Sequence, residues 1–237
     1  MAGQNPDLQT DLNDDSSQFS PLIKKMIVSA IVLGTFAIVG TAMVAFTFNQ
    51  TKDQIAENQK QATLNSLHQL ITPAKHDNDI FTDTINVTNL KLLGSKDPVI
   101  VFRARKNNKP VAAILTVIAP DGYTGKITLL VAINYDASLA GVRAVNHKET
   151  PGLGDAIEIE KSKWILQFNN KSLSNPTEKH WKVKRDGGQF DQLTGATITP
   201  RAIVKAVHKA LLFYKQQRDK LFVPVKIKTP GNKESTL

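Results

Sequence analysis

The pattern of apolar and polar residues first sets apart a long uncharged run near the N-terminus. Residues 26–48, MIVSAIVLGTFAIVGTAMVAFTF, contain no charged side chain. As a helix with a rise of ~1.5 Å per residue, this run is about 34 Å long, enough to cross a hydrocarbon core of about 30 Å. A cleaved signal peptide is the alternative, with Gly40-Thr41-Ala42 as its cleavage site, but signal peptides usually have an apolar region of only about 7–15 residues. The length therefore favours an uncleaved single-span anchor over residues 24–48.

The segments on either side of this anchor have different patterns. Residues 1–23 are rich in Asp, Asn, Gln and Ser, a composition that predicts disorder. After the anchor, apolar residues recur at loosely helical intervals until Pro73 stops them. This spacing predicts a juxtamembrane helix over residues 49–75.

Positive charges near the anchor indicate its orientation. Lys24 and Lys25 lie directly at one end of the anchor, whereas Lys52 and Lys60 lie beyond the other. The clustering of the first pair favours a cytoplasmic N-terminus. We therefore expect a single-pass protein of a bacterial inner membrane whose globular part lies in the periplasm.

The remaining chain predicts an α+β domain over residues 76–220. Four runs rich in Val and Ile predict two hairpins and hence an antiparallel sheet; they are residues 99–104, 110–119, 127–135 and 139–147. A helix is expected near residues 161–168 and a strand at 181–184. The last helix is predicted to begin at about residue 200, with Thr199 as N-cap and Pro200 in the first turn. Its apolar stripe consists of Ile203, Val204, Val207, Ala210, Leu211 and Tyr214. A basic tail, residues 221–237, follows this helix.

Composition narrows the classes of function. The chain lacks cysteine, which excludes disulfides, thiolate metal sites and cysteine nucleophiles. The net charge is +9, although residues 1–48 carry two lysines against four aspartates. The part after the anchor is therefore strongly basic and suits anionic partners. Basic residues are not interleaved with aromatic ones, so we expect no nucleic acid partner.

The segment before the last helix, DQLTGATITPRAI at 191–203, is the main candidate for chemistry. A helix N-terminus attracts anions such as phosphate, and the small Gly195 and Ala196 allow a ligand to approach the backbone. The same residues also suit a simple capping loop. A third interpretation makes Thr197 a nucleophile with His147 as base and Asp191 as the orienting group, but nothing in the sequence shows that these side chains meet.

A resemblance favours the phosphate interpretation. Residues 191–197, Asp-Gln-Leu-Thr-Gly-Ala-Thr, resemble the flavinylation motif D-x-x-[ST]-G-A-[TS] of the FMN-binding domain family. The resemblance implies that a flavin transferase joins the FMN phosphate to Thr197 as a phosphodiester. The other implied cofactor-binding residues of this motif are Asp191, Thr194, Gly195 and Ala196.

Two further loops carry the same resemblance. Residues 147–154, His-Lys-Glu-Thr-Pro-Gly-Leu-Gly, are similar to the second signature of the family, and Gly-Tyr-Thr-Gly at 122–125 precedes it. The resemblance implies a loop beside the flavin ring with Tyr123, His147, Glu149, Thr150, Gly152, Leu153 and Gly154 as contact residues.

The order of the anchor, the loops and the last helix resembles the G subunits of Rnf-type ion-translocating electron-transport complexes. That family implies an electron carrier without a complete active site of its own. It works beside other membrane and iron–sulfur subunits, between NADH and ferredoxin, and is coupled to Na⁺ or H⁺ movement. The C subunit of the Na⁺-translocating NADH:quinone oxidoreductase and a non-redox, membrane-tethered scaffold remain as alternatives.

Overall fold

The computed structural model describes residues 15–223, so the disorder expected for residues 1–14 and most of the expected tail, residues 224–237, lie outside it. The first element is one continuous helix, α1, at Asp15–Leu70. Residues 15–23 are therefore helical, which corrects the disorder expected there. The predicted anchor and juxtamembrane helix join because the sequence has no glycine or proline between Thr41 and Thr72 to interrupt them.

Helix α1 contains the candidate membrane span. Its portion Ile23–Leu70 is long and apolar enough to cross a membrane, judged by length and composition. The chain divides into two compact units between Lys60 and Gln61. The globular unit thus begins earlier than the boundary expected at residue 76.

The globular unit is built on a five-stranded antiparallel sheet in sequential order. Its strands are β1 (Thr84–Asn89), β2 (Ser95–Lys106), β3 (Lys109–Ala119), β4 (Ile127–Asn134) and β5 (Leu139–Asn146). Both predicted hairpins are present, as β2–β3 and β4–β5. Asn107 and Asn108 form the first turn with φ of 50° and 61°, and asparagine tolerates this left-handed region well. Strand β1 and the short helix α2 (Leu90–Leu93) are additions to the predicted elements; in β1 only Ile85 and Val87 are apolar, too few for the Val- and Ile-rich pattern that marks the other strands.

The two faces of the sheet are covered by different helices. Helix α3, Ile198–Leu221, packs on one face, and the predicted apolar stripe is buried there. Leu67 and Leu70 at the end of α1, with Ile71 just after it, cover the other face and share one buried apolar cluster with Phe102 and Ile114. The α+β class with flanking helices is therefore confirmed.

Residues between β5 and α3 form turns rather than regular elements. The helix expected near residues 161–168 is a 3-10 turn at Trp164–Phe168. In place of the strand expected at 181–184, the described chain has a single bridge between Val183 and Phe190. These segments are too short for regular structure, and stacked aromatic rings hold them, with Phe168 and Phe190 centroids 4.8 Å apart.

Candidate functional site

Helix α3 begins two residues earlier than the sequence predicts. Thr197 occupies the N-cap position and Ile198 the first helical position, so Thr199 lies inside the first turn. The Thr197 hydroxyl makes no capping hydrogen bond within the described chain, and the residue is exposed. The Thr199 hydroxyl instead donates to Oε2 of Glu149 and is fully buried. The threonine expected to cap the helix is therefore a packing residue, and Thr197 is left accessible.

A cavity of about 270 Å³ lies at the head of this helix. Three loops that are distant in sequence form it: the loop after β3, the loop after β5 and the loop before α3. The lining residues are Tyr123, Glu149, Thr150, Leu153, Gly154, Gly195, Ala196, Thr197, Ile198 and Thr199. Both family motifs thus contribute to a single cavity.

Glu149 holds the three loops together. Only 4% of the residue is exposed. Its Oε1 accepts the Thr124 backbone amide at 3.1 Å, its Oε2 accepts the Tyr123 amide at 3.3 Å, and the Thr199 hydroxyl joins α3 to the same carboxylate. Burial alone would raise the pKa of Glu149, but the hydrogen bonds from Thr199 and Thr124 outweigh it and lower the pKa below its ordinary value. The side chain is therefore a buried anion at neutral pH.

Glycines allow these loops to approach closely. A Cβ on Gly154 would lie 3.1 Å from Oε2 of Glu149 and 3.2 Å from Oγ1 of Thr199. Gly195 has a φ of +78°, and a Cβ there would lie 2.6 Å from Cδ2 of Leu153. At Gly195 the left-handed conformation favours glycine, and an added Cβ would also displace the exposed end of the Leu153 side chain.

The first turn of α3 is surrounded by charges of both signs, because the Glu149 carboxylate binds Thr199 within it and Arg201 is paired with Asp186. This turn contains no acidic residue. Arg201 binds Asp186 through two 2.7 Å contacts and also donates to the Thr197 carbonyl at 3.2 Å. The hydrogen bond from Arg201 lowers the pKa of Asp186. The first turn supplies no acidic side chain of its own, and the Glu149 carboxylate is held at Thr199, so the exposed Thr197 side of the helix terminus remains suited to a bound phosphate.

Four of the residues predicted to bind the cofactor lie outside the cavity lining in the described part of the chain. Asp191 pairs with Lys184 at 2.5 Å, and Thr194 lies exposed in the turn that follows. Gly152 occupies a left-handed turn with φ +76°. Both nitrogens of His147 are engaged by Glu149 and Glu158. The predicted arrangement of Thr197, His147 and Asp191 as a nucleophile, base and orienting group therefore gains no support, since the latter two bind other partners.

Two lining residues were missed by the sequence analysis. Ile198 was overlooked because it falls between the motif and the predicted helix start. Thr199 was assigned to capping, and only the position of Glu149 in three dimensions reveals its role.

Comparison with known families agrees with this arrangement. Residues 122–212 match the FMN-binding domain family, a range that contains all the lining residues. Residues 20–70 match the family described as the RnfG N-terminal region, which corresponds to most of α1. The protein is thus of the class that joins an N-terminal apolar helix to an FMN-binding domain.

Curated relatives define the family further. The chain is 46% identical over 193 residues to the G subunit of the ion-translocating oxidoreductase complex of Aliivibrio fischeri, covering 81% of this chain and 92% of the relative. It is 47% identical over 190 residues to that of Shewanella amazonensis (80% and 88%) and 45% identical over 201 residues to that of Pseudomonas aeruginosa (85% and 94%). The chain therefore belongs to the family of G subunits of ion-translocating oxidoreductase complexes. This confirms the resemblance inferred from the motifs and favours it over the C subunit of the quinone oxidoreductase.

Proposed function

We propose that this protein is a membrane-anchored electron carrier that holds FMN covalently through a phosphodiester on the Thr197 hydroxyl. The observation that carries the proposal is the position of Thr197, which lines the cavity and is exposed at the N-cap of α3. A threonine at an N-cap usually commits its oxygen to capping the helix. Here no capping bond is present among the described residues, so a flavin transferase has access to the oxygen.

Residues around Thr197 fit the phosphate group. The free amides at the start of α3 point towards it, and the small Gly195 and Ala196 leave the backbone open. A phosphodiester keeps one negative charge, which the helix terminus stabilises, while the Arg201 guanidinium is already paired with Asp186 and helps to hold the Thr197 backbone through the Thr197 carbonyl.

The apolar lining fits the flavin ring. Tyr123, Leu153 and Ile198 are 66%, 43% and 44% exposed although all three are large and apolar. A flat aromatic ring covering them removes this surface from water, which contributes about 25 cal/mol per Å² of apolar area. Glu149 and Thr150 supply polar groups at the same cavity. When bound, FMN supplies reversible electron transfer, and the protein supplies its position and electrostatic surroundings.

The names of the relatives place them in an ion-translocating oxidoreductase complex. We propose that this chain, too, works within such a complex, and that it exchanges electrons with other membrane and iron–sulfur subunits rather than catalysing a complete reaction alone, as the motif resemblance implies. We assign α1 to the inner membrane, with its N-terminus cytoplasmic and the flavin domain periplasmic, because Lys24 and Lys25 cluster at one end of the apolar run. A C-terminal reporter that is active only in the periplasm tests this orientation.

Flavin attachment is tested by co-expressing the protein with a flavin transferase and examining a denaturing gel under ultraviolet light. We expect a fluorescent band from the wild type and from Thr197→Ser, which keeps a hydroxyl, and none from Thr197→Ala. The matched control is Thr88→Ala on β1, which removes an exposed threonine hydroxyl outside both motifs and outside the cavity lining and should stay fluorescent.

Intact-mass analysis of the same samples identifies the linkage as one FMN added with loss of one water. A fluorescent Thr197→Ala band would place the flavin on another residue. A wild-type band without flavin, in the presence of active transferase, would favour the membrane-tethered scaffold.

A further inference from the structure

His147 directly follows β5, and both of its ring nitrogens are hydrogen-bonded beside the cavity. Its Nδ1 lies 3.1 Å from the backbone nitrogen of Glu149, and its Nε2 lies 3.0 Å from Oε1 of Glu158. Only 11% of its side chain is exposed. The ring is therefore a fixed part of the loop rather than a free contact for the flavin.

The chemistry of the two partners fixes the hydrogen on the ring. A backbone amide only donates, so Nδ1 must accept from Glu149 and carry a lone pair. An ionised carboxylate only accepts, so Nε2 must carry the hydrogen and donate to Glu158. Glu158 also accepts from Lys161 at 3.0 Å, and Lys161 binds the buried Asp155 at 2.8 Å. The neutral ring thus joins the turn after Gly154 to the backbone of Glu149.

The bond to the Glu149 amide decides where the Glu149 side chain points. A side-chain acceptor that binds the amide two residues later fixes the intervening backbone in a turn, as asparagine and aspartate do in Asx-turns. Lys148, in the middle of this turn, is exposed, and Glu149 is buried against Thr124 and Thr199. The turn made by His147 therefore directs the carboxylate inward to the point where the three loops meet.

We propose that His147 is a positioning residue of the flavin site, acting through the backbone amide of Glu149 rather than by contact with the ring of the cofactor. The name flavin site rests on the proposed function, but the hydrogen bond and its consequence do not. Loss of the imidazole frees the Glu149 amide, loosens the carboxylate from Thr199 and widens the cavity at the head of α3.

Amide hydrogen exchange on the full-length, unloaded protein in detergent tests this directly, by mass spectrometry with fragmentation to single amides. His147→Ala should speed exchange of the Glu149 amide about 2- to 10-fold, the range expected for one lost hydrogen bond. His147→Asn should restore protection, because its side-chain oxygen accepts the same amide although it loses Glu158. The matched control is His180→Ala, whose ring bonds the Thr177 hydroxyl at 2.8 Å and is not part of the cavity lining; it should leave this amide unchanged.

The same variants, loaded with flavin, give a second readout in the visible circular dichroism of the bound cofactor. We expect a changed signal for His147→Ala and a wild-type signal for His147→Asn. Wild-type exchange and dichroism in the alanine variant would overturn the proposal, and so would failure of the asparagine variant to restore them. If the alanine variant does not fold, the asparagine variant decides alone: wild-type protection supports the proposal, and an unprotected loop or failure to fold refutes it. A wild type that takes up no flavin refutes the proposed function and leaves the exchange result standing.

Discussion

Replacing Glu149 by glutamine changes the charge of the central carboxylate with almost no change in shape. In the wild type, each carboxylate oxygen accepts one backbone amide. Oε1 accepts the Thr124 amide and shares the Thr124 hydroxyl with the Lys148 carbonyl, and Oε2 accepts the Tyr123 amide and the Thr199 hydroxyl. The glutamine NH₂ group must occupy one of these two positions. In either position, the NH₂ group faces a backbone N–H. Both groups are donors, so they cannot form a hydrogen bond with each other.

The size of the effect follows from these contacts. One buried amide left without an acceptor costs about 1–3 kcal/mol. The remaining hydrogen bonds lose the strengthening that an ionised acceptor provides, which adds roughly 1 kcal/mol. We therefore expect Glu149→Gln to lower the free energy of unfolding by about 2–4 kcal/mol. For a unit of roughly this size, each kcal/mol shifts Tm by about 2–4 °C, so the predicted loss is roughly 5–15 °C.

Tryptophan fluorescence is a suitable assay for the full-length protein in detergent. The chain has two tryptophans, and both Trp164 and Trp181 belong to the core of the globular unit. Their emission reports the unfolding of that unit. Exposed Glu160 provides the matched control, and Glu160→Gln should change stability by less than about 0.5 kcal/mol.

Acidification gives an independent check on the same residue. Because folding lowers the pKa of Glu149 below its ordinary value of 4.5, its contribution is fully present above pH 4.5 and is lost as the pH falls through the folded-state pKa. The difference in stability between wild type and Glu149→Gln should therefore shrink below pH 4.5. Equal melting temperatures at neutral pH, or a difference that stays constant on acidification, would refute the role assigned to this carboxylate.

Two other substitutions test the fold and the cavity. Leu67→Ala should destabilise the globular unit by about 2–5 kcal/mol, because Leu67 is fully buried; urea titrations followed by tryptophan fluorescence measure the loss. As the control, Leu90→Ala removes an exposed side chain and should cost less than about 0.5 kcal/mol. Equal effects of the two substitutions would contradict the packing of the α1 end on the sheet. Gly195→Ala should cost about 1–2 kcal/mol for its left-handed backbone and also displace Leu153, so it should slow flavin loading as well. Gly187→Ala has the same backbone strain outside both motifs, and its Cβ would meet no described atom within 4 Å, so it should leave loading unchanged. Equal loading rates for both variants would disprove the effect of the close contact.

The sequence predicts the sheet better than its surroundings. Runs of Val and Ile mark β2 to β5 because buried strands need them, whereas β1 alternates Ile85 and Val87 with Thr and Asn over only six residues, a signal too short to stand out. The burial of Leu67 was equally hidden, because a loosely amphipathic segment near a membrane has the same pattern whether it lies in solvent or on a sheet.

At the candidate site, too, the sequence predicts which residues come together better than it predicts what each residue contacts. The motifs predict one site for Tyr123, Glu149 and Leu153, and all three line the cavity that contains Thr197, while their contact with flavin stays a prediction. They do not show that His147 faces Glu158, because the two are separated by a turn whose course depends on tertiary contacts. A motif gives the residue types that a site needs, but it does not distinguish contact with a ligand from support of a neighbour.

The start of α3 connects these observations. From sequence alone, Thr199 before Pro200 is a good N-cap, and a helix beginning there would leave Thr197 in the preceding loop. In the folded chain the buried carboxylate of Glu149 takes the Thr199 hydroxyl, and a hydrogen bond to an ionised acceptor is roughly twice as strong as a neutral one. The helix then begins at Ile198, and Thr197 becomes its N-cap with a hydroxyl that the helix does not use. Glu149 of the 147–154 motif thus affects the 191–197 motif, although the two are about 50 residues apart in sequence. Because Glu149 binds Thr199, Thr197 is left at the positive end of the helix dipole, where a phosphate is best stabilised.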